Sequence, residues 1–447
     1  MVTSDHCLAP TRVVDAPIEG GRYGRMLGDL PSLTADESLL HGIGSRGGPC
    51  DGAGLADEGG DDATVAAGWP FFGQFIAHDI TADRSPLQHA VDPQLVRNFR
   101  TPRANLECMY GGGPIGSPYL YDRDDPARLL LGPGGRDVPR NQQDIALVGD
   151  PRNDVHLFVN QLHVAFLRAH NLIVDGLRAN GEPEATVFDS ARRLLVWHYQ
   201  WVLLHDYLPG LLAPELASEL LNGGPRVYRA NGRPYIPFEF ADAAFRYGHS
   251  QIRHHYQVNE GFGPCPMFPD LIGFGPVAPD RAVDWTLLFD FPGGPAAQRA
   301  KRIDGRLPGS LINLPAAITG DVEDEAYHSL AARDLQRGHA TGLPSGETVA
   351  GRLRVPALTA DEVLLADHGW HDETPLWYYV LREADVLGDG DTLGPVGGRI
   401  VGEVLVGIVD ADPDSFRTVE PSWRPTLPAV DPDRFTLTDL LTLEERA

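Results

Sequence analysis

The chain has 447 residues, of which 42% are hydrophobic and 22% are charged, a composition that excludes a disordered or fibrous protein. Its 62 acidic residues outnumber its 37 Lys and Arg residues, which gives a net charge of −25. A surface with this charge repels phosphate backbones and anionic lipids, so we expect no nucleic-acid partner and no membrane-surface partner.

The sequence shows no signal for export or for metal-binding cysteines. No segment approaches the roughly 18–20 consecutive apolar residues that a membrane-spanning helix needs, and the start of the chain lacks a secretory pattern. The four cysteines, Cys7, Cys50, Cys108 and Cys265, are scattered and form no CxxC pair. We therefore predict a cytoplasmic protein without a disulfide framework or a structural zinc site.

The first part of the chain differs in composition from the rest. Residues 1–65 are rich in Gly, Asp and Pro and are interpreted as an N-terminal arm that is partly irregular. Residues 66–447 contain no internal repeat and no obvious linker, and we predict that they form a single catalytic domain.

Helical patterns follow in chain order. From residue 66 to 80, apolar side chains recur at steps of three and four. Residues 153–178 give the clearest helical pattern, with Asn153 or Asp154 as a candidate cap. Further helices are predicted at 186–208 and 396–410. Alternating strand patterns are scarce, so the fold is predicted to be mainly α-helical.

The spacing of the histidines argues against a zinc hydrolase. No HEXXH motif is present, and His249 and His254 are five residues apart, which is poor helical geometry for one metal ion. Gln74 and His78 are one helical turn apart, so their side chains point the same way. The sequence also lacks GxSxG, so a serine nucleophile has no supporting motif.

Seven segments between residues 69 and 408 carry the most informative patterns. They are WPFFGQFIAHDIT (69–81), TPRANLECMYGGGP (101–114), VGDPRNDVHLFVNQLHVAFLRAHNLIVDGL (148–177), YQWVLLHDYLP (199–209), AFRYGHSQI (244–252), ARDLQRGHATGLPSG (332–346) and LWYYVLREADVLGDGDTLGPVGGRIVGEVLVGI (376–408). In this order they resemble the animal-type haem peroxidases, the peroxidase–cyclooxygenase superfamily, and in particular its bacterial members. The resemblance implies the helical fold of that family, with haem between the distal and the proximal helices.

On the proximal side, the resemblance implies that His249 is the haem iron ligand. The position that is hydrogen-bonded to this ligand is Asn in most of the family, whereas in this chain it is Asp334. A carboxylate gives the imidazole more imidazolate character than an amide does, so we expect a more negative ferric/ferrous potential. A pairing of Asp334 with Arg333 or Arg337 is the alternative.

On the distal side, the resemblance implies that His78 is the acid–base residue. Arg152 would add fixed positive charge, and Gln74 would hold a distal water or halide. Arg246 and Arg337 match family positions that pair with the haem propionates.

Two features of the family's cofactor chemistry differ in this chain. The carboxylates that form haem esters in mammalian members correspond to Ala77 and Val155, and the sulfonium-forming position corresponds to His156. Non-covalent haem b is therefore predicted, although Asp154 could form one ester if the register slips by one residue.

A calcium ion often lies beside the distal histidine in this family. Asp79 matches one of its ligands, and Thr101, Asn105 and Glu107 fall on others. Asn105 and Glu107 differ from the commoner residues at these positions, so calcium is an open possibility.

The function implied by the resemblance is a haem-dependent peroxidase that reduces hydrogen peroxide and oxidises a small organic donor, phenol- or indole-like, and bacterial secondary metabolism is the context we expect for it. A haem dioxygenase of the same fold that acts on an apolar substrate is one alternative. A cyclooxygenase reaction is disfavoured, because the position that holds the radical tyrosine in cyclooxygenases is Arg246 in this chain. A non-catalytic haem-binding scaffold is the other alternative. The sequence does not indicate the oligomeric state.

Overall fold

A computed structural model describes residues 21–52, 61–82, 96–320, 322, 324–431 and 433–446. About 48% of the described residues are helical, and the strands among them form only two-stranded pairs. The prediction of a mainly α-helical fold is confirmed.

Most elements along the chain are helices of very different lengths, and the strands are short. The α-helices of the described residues are α1 (Glu37–Gly44), α2 (Trp69–Ile80), α3 (Glu107–Tyr110), α4 (Gly113–Gly116), α5 (Leu157–Ala179), α6 (Val187–Val202), α7 (Leu208–Leu211), α8 (Pro214–Gly223), α9 (Phe238–Ala241), α10 (Gly309–Ile312), α11 (Ala316–Thr319), α12 (Leu330–Ala340), α13 (Gly346–Leu353), α14 (Ala360–Val363), α15 (Leu376–Gly388), α16 (Pro395–Asp410), α17 (Phe416–Val419) and α18 (Leu437–Leu441). The strands are β1 (Tyr23–Gly24), β2 (Asp62–Ala66), β3 (Ile236–Pro237), β4 (His255–Tyr256), β5 (Cys265–Pro266) and β6 (Arg299–Lys301). Short 3-10 helices include Pro151–Asp154 and Ala244–His249, and Leu203–Tyr207 is a π-helical turn.

The core is built around α5, which packs against both α2 and α6. Large apolar side chains on α2 and α5 face each other there, and the Phe75 and Phe166 rings stack with their centroids 4.8 Å apart. Both rings are fully buried, which makes this contact a large contribution to core packing. It holds the helix that carries Gln74 and His78 against α5.

The helix boundaries differ from the prediction at two places. Residues 151–154 form a separate 3-10 turn, and α5 begins at Leu157 with His156 as its cap, so the expectation that Asn153 or Asp154 caps it was wrong. The predicted helix at 186–208 continues past Val202 through the π-helical turn into α7. Pro209 directly follows the π-helical turn, a local widening that accommodates a residue without an N–H donor inside a continuing helix.

The described part of the predicted N-terminal arm is attached to the rest of the chain. β1 pairs in parallel with β3, α1 packs on α12, and β2, which runs across the predicted boundary at residue 65, pairs with β6. Residues 1–20 and 53–60 of this arm lie outside the described residues. A single domain from residue 66 to 447 stays a prediction.

In the described ranges, no helix combines the length and the apolar character that crossing a membrane requires.

Candidate active site

The distal side of the candidate site is built on α2. Gln74 and His78 lie one turn apart on this helix, which has Pro70 in its first turn. Gly73 faces the Tyr207 hydroxyl so closely that a Cβ atom there would lie 2.5 Å from the phenolic oxygen. The close approach of α2 to Tyr207 therefore needs glycine at this position.

His78 is held from behind by a chain of buried hydrogen bonds. Its Nδ1 atom is 2.7 Å from Asn153 Oδ1, and Asn153 Nδ2 is 2.9 Å from Nδ1 of His163. Because a carboxamide oxygen can only accept, Nδ1 of His78 carries the proton and Nε2 has the free lone pair. Nε2 of His78 is not among the buried polar atoms that lack a partner, so this atom faces open space.

The pKa of His78 is lowered to about 3, first because burial penalises the charged ring and second because the Arg152 guanidinium is near. His78 is 6% exposed. The imidazole is therefore neutral near pH 7, which is the form that can accept a proton.

Arg152 is fixed beside His78 by a buried carboxylate. Its Nε and Nη2 atoms donate to the two oxygens of Asp150 at 3.0 and 2.9 Å, and Nη2 also contacts the backbone carbonyls of His78 and Thr81. Burial by itself would raise the pKa of Asp150, but the hydrogen bond and charge of Arg152 outweigh it and hold that pKa well below its usual range. In the described part of the chain, Nη1 of Arg152 is left without a protein partner.

The proximal side is built from the 3-10 helix at residues 244–249 and from α12. His249 Nδ1 is 2.6 Å from Oδ2 of Asp334, which is fully buried, while the His249 side chain is 31% exposed. Nδ1 donates to the carboxylate, so Nε2 is free to bind a metal ion. The 3-10 helix packs against α2, so the elements that carry the two histidines are neighbours.

The structure changes the interpretation of Arg246. Its Nη1 donates to the second oxygen of Asp334 at 2.9 Å, its Nη2 lies 3.6 Å from Asp242, and its Nε donates to the Ala241 carbonyl. Arg246 thus forms an ion pair inside the protein, because a buried carboxylate needs a cationic partner, and its contact with a propionate stays a prediction. The alternative pairing of Asp334 with Arg333 or Arg337 is not what the structure shows.

Two other residues of the predicted haem environment, Arg337 and Asp154, differ in what the structure shows of their contacts. Arg337 lies one turn after Asp334 on α12, where it is half-buried, and its contact with a propionate stays a prediction. Asp154 offers no free carboxylate, because both of its oxygens accept from Arg140 at 2.7 and 2.8 Å. The ester that a register slip would place at Asp154 therefore has no support.

The predicted calcium ligands do not form a cation site. The Asp79 oxygens accept from the backbone N–H groups of Leu106 and Cys108 at 2.9 and 3.2 Å. The Glu107 carboxylate accepts from the Thr101 N–H and hydroxyl, and lies 3.4 Å from the Arg100 guanidinium.

The remaining expected ligand, Asn105, also forms hydrogen bonds within the protein. Its Nδ2 donates to Thr101 Oγ1 and its Oδ1 accepts from the Glu107 N–H. Among the described residues, no group of three or more His, Cys, Asp or Glu side chains is placed to hold a metal ion. These residues do not fit calcium, because protein donors already use their oxygens and a guanidinium brings positive charge close.

Sequence reasoning missed several residues that determine this geometry. They are Arg100, Arg140, Asp150, Asn153 and His163. Asp150 and Asn153 flank Arg152 in the segment GDPRND, which was the available signal. His163 appeared only as one position of a long helix.

Comparison with known proteins gives the family of the chain. Residues 120–360, more than half of the chain, match the family described as animal haem peroxidase. The chain belongs to the animal haem peroxidase family.

Relatives of the animal haem peroxidase family include the Aedes aegypti chorion peroxidase, 33% identical over 309 residues that make up 65% of this chain and 37% of that protein. Drosophila melanogaster peroxidasin is 27% identical over 297 residues, which are 62% of this chain and 19% of that protein. The chain spans well under half the length of these relatives.

Solved structures show the same fold at low identity. Peroxidase A from Dictyostelium discoideum superimposes with a TM-score of 0.64 and 16% identity, covering 94% of this chain and 91% of that one. The fatty acid alpha-dioxygenase of Arabidopsis thaliana gives a TM-score of 0.64 and 14% identity, covering 96% of this chain and 78% of that one.

Removal of divalent cations tests the calcium result. We expect that dialysis against a chelator leaves the thermal unfolding midpoint unchanged, because Arg100 and backbone amides already satisfy Asp79 and Glu107. The measurement is the midpoint followed by circular dichroism with and without added calcium. A midpoint that falls on chelation and recovers specifically with calcium would contradict this result.

Proposed function

We propose that the protein is a haem-dependent peroxidase that reduces hydrogen peroxide and oxidises a small organic donor. The observation that carries the proposal is the matched state of two histidines on neighbouring elements. His78 and His249 each bind a buried side chain through Nδ1, which leaves both Nε2 atoms free. The cofactor is haem b, held through Nε2 of His249 and without covalent links.

The residues present fit a haem. His249 offers a nitrogen ligand on a partly exposed ring, and its second nitrogen is hydrogen-bonded to Asp334. The lack of a covalent link is supported by Ala77, which has no carboxylate, and by Asp154, whose carboxylate is bound to Arg140. When bound, haem supplies an iron that exchanges electrons with peroxide and with the donor.

The distal residues then handle the protons. With haem bound, the neutral His78 Nε2 would take a proton from one oxygen of peroxide and return it to the other oxygen, which would leave as water. The positive charge of Arg152, which acts on the neighbouring His78 ring, would favour the charge that develops as the O–O bond separates. In the complete reaction, one peroxide takes two electrons and two protons from donors and forms two water molecules.

The donor is proposed as a phenol- or indole-like molecule of bacterial secondary metabolism, processed in the cytoplasm. The peroxidase relatives support the oxidation of a donor in general. The acidic composition disfavours a nucleic-acid partner. The alternative is oxygenation of an apolar substrate, since the fold is shared with fatty acid alpha-dioxygenases. Oxygen uptake with an apolar substrate and only a trace of peroxide would favour the dioxygenase, and neither reaction would favour a non-catalytic scaffold.

The iron ligand is tested by His249→Ala. We expect this variant to lose stable haem binding, with recovery when imidazole is added, because a small ligand can replace the missing ring. Haem absorption after gel filtration is the measurement. His255→Ala, which changes a nearby histidine in the sequence that is exposed, serves as the control and should retain haem. Full haem retention by His249→Ala would contradict the assignment.

The acid–base role of His78 predicts an unusual pH profile. The neutral ring is the active base, and its pKa is lowered to about 3, so the rate of reaction with peroxide should stay nearly constant from pH 8 to about 4.5. An unperturbed histidine would lose activity as the pH falls through about 6.5. Stopped-flow absorption measures the rate.

The same measurement on His78→Ala supplies the control. This variant should retain haem and react about 10²–10⁴-fold more slowly. A wild-type rate that falls with a midpoint near pH 6.5 would contradict the buried, neutral state of His78.

The carboxylate behind the iron ligand is tested by Asp334→Asn. A neutral amide is a weaker acceptor for the imidazole N–H than a carboxylate, so the imidazole becomes a weaker electron donor to iron. The ferric/ferrous potential should therefore become more positive. Asp242→Asn is a matched control, because it also removes a carboxylate beside Arg246 but does not touch His249. Spectroelectrochemical titration should show a shift for Asp334→Asn alone, and equal potentials in the two variants would mean that the carboxylate acts only on Arg246.

A further inference from the structure

His156 joins the start of α5 to Gln74 of α2. It is 3% exposed, and both nitrogens of its ring have protein neighbours. The Nδ1 atom lies 3.4 Å from the backbone nitrogen of Val159, and Nε2 lies 2.7 Å from Oε1 of Gln74. The ring of Phe71 packs edge-on against the imidazole with centroids 5.3 Å apart, which further limits its movement.

These two contacts determine the tautomer of His156. A backbone N–H can only donate, so Nδ1 accepts from Val159 and has no proton. The proton of the neutral ring is then on Nε2, which donates to the carbonyl oxygen of Gln74. Burial lowers the pKa of His156 to about 3, so the ring stays neutral over the ordinary pH range.

The tautomer in turn determines which end of the Gln74 amide is available. With Oε1 bound to His156, the NH₂ group lies on the other branch of the planar amide. In the described part of the structure it has no protein partner, and it is not among the buried polar atoms without one. Gln74 shares a face of α2 with His78, one turn away.

We propose that His156 is a positioning residue that orients the Gln74 amide so that the distal pocket receives an N–H donor and not a carbonyl oxygen. This proposal rests on the proposed function, because it assigns a role within the same site. With Nε2 of His78 as acceptor and Nη1 of Arg152 as donor, the oriented amide makes the pocket selective for small acceptors such as the oxygen of peroxide or an anionic ligand. A reversed amide would present a lone pair to these ligands and repel them.

Two substitutions separate this role from helix capping. In His156→Gln, the side-chain nitrogen lies close to the position of the histidine Nε2 and can still donate to Gln74. In His156→Asn, the side-chain oxygen lies close to the position of Nδ1, so it can still accept from Val159 but cannot reach Gln74. Each variant therefore keeps one of the two contacts and loses the other.

Cyanide binding to the ferric haem protein is the readout, because it depends on the distal donors and requires no turnover. We expect about tenfold weaker cyanide binding for His156→Asn, as for the loss of one hydrogen bond, and near-native affinity for His156→Gln. Haem content and the thermal unfolding midpoint are measured alongside. Weaker binding only in His156→Gln, or native affinity in both variants, would overturn the proposal.

A double-mutant cycle decides the case in which both variants bind cyanide weakly. Gln74→Leu removes the amide, so a positioning role predicts that His156→Asn has no additional effect in that background. A full additional loss there would overturn the proposal. Failure of the proposed function has a different signature, since a protein that binds haem and cyanide normally but does not consume peroxide would leave the role of His156 intact.

Discussion

The candidate site depends on one constraint that is applied twice, namely that the Nδ1 atom of each central histidine is hydrogen-bonded to a buried side chain. Asn153 binds His78, and Asp334 binds His249. Each contact fixes the ring orientation and makes Nδ1 the donor, so Nε2 of each histidine is left without a protein partner. Without these partners the rings could rotate and exchange tautomers, and neither a defined iron ligand nor a defined base would exist.

The two partners differ in charge, and this difference matches the two roles. Behind His249 the partner is a carboxylate, which strengthens the imidazole as an electron donor to iron. The partner of His78 is an uncharged amide, so this ring gains little stabilisation of its protonated form and burial keeps it neutral. A carboxylate at residue 153 would favour the protonated imidazole and remove the base.

Local sequence patterns predicted the helices and the central residues but not the contacts between distant segments. The apolar periodicity of residues 66–80 and 153–178 located α2 and α5, and family motifs located His78, Arg152, His249 and Asp334. The contact between His78 and Asn153 spans 75 residues and that between His249 and Asp334 spans 85. Only the contact between His249 and Asp334 was predicted, because a family position specified it. Hydrophobic periodicity does not indicate which distant side chain will be hydrogen-bonded to a histidine in the folded chain.

The same limit explains the results for Arg246 and calcium. A motif match assigns a residue to a ligand, but the charges that surround that residue decide whether it is available. Asp334 and Asp242 engage Arg246, and Arg100 engages Glu107. At both positions the chain itself supplies a partner for a charge that the motif assigns to a cofactor or a cation, and for Arg246 the contact with a propionate stays a prediction.

Arg100 also links the loop at residues 101–107 to the distal arginine. It donates to Asp150, which in turn binds Arg152, so a row of alternating charges runs from Glu107 through Arg100 and Asp150 to Arg152. Because these charges are partly buried, they are screened less than surface pairs and keep Arg152 in place without a bound cation. Fixing Arg152 in this way also reduces its effect, since Asp150 neutralises part of the guanidinium charge. In the proposed function, the contribution of Arg152 therefore comes more from its fixed position than from a strong unpaired positive charge.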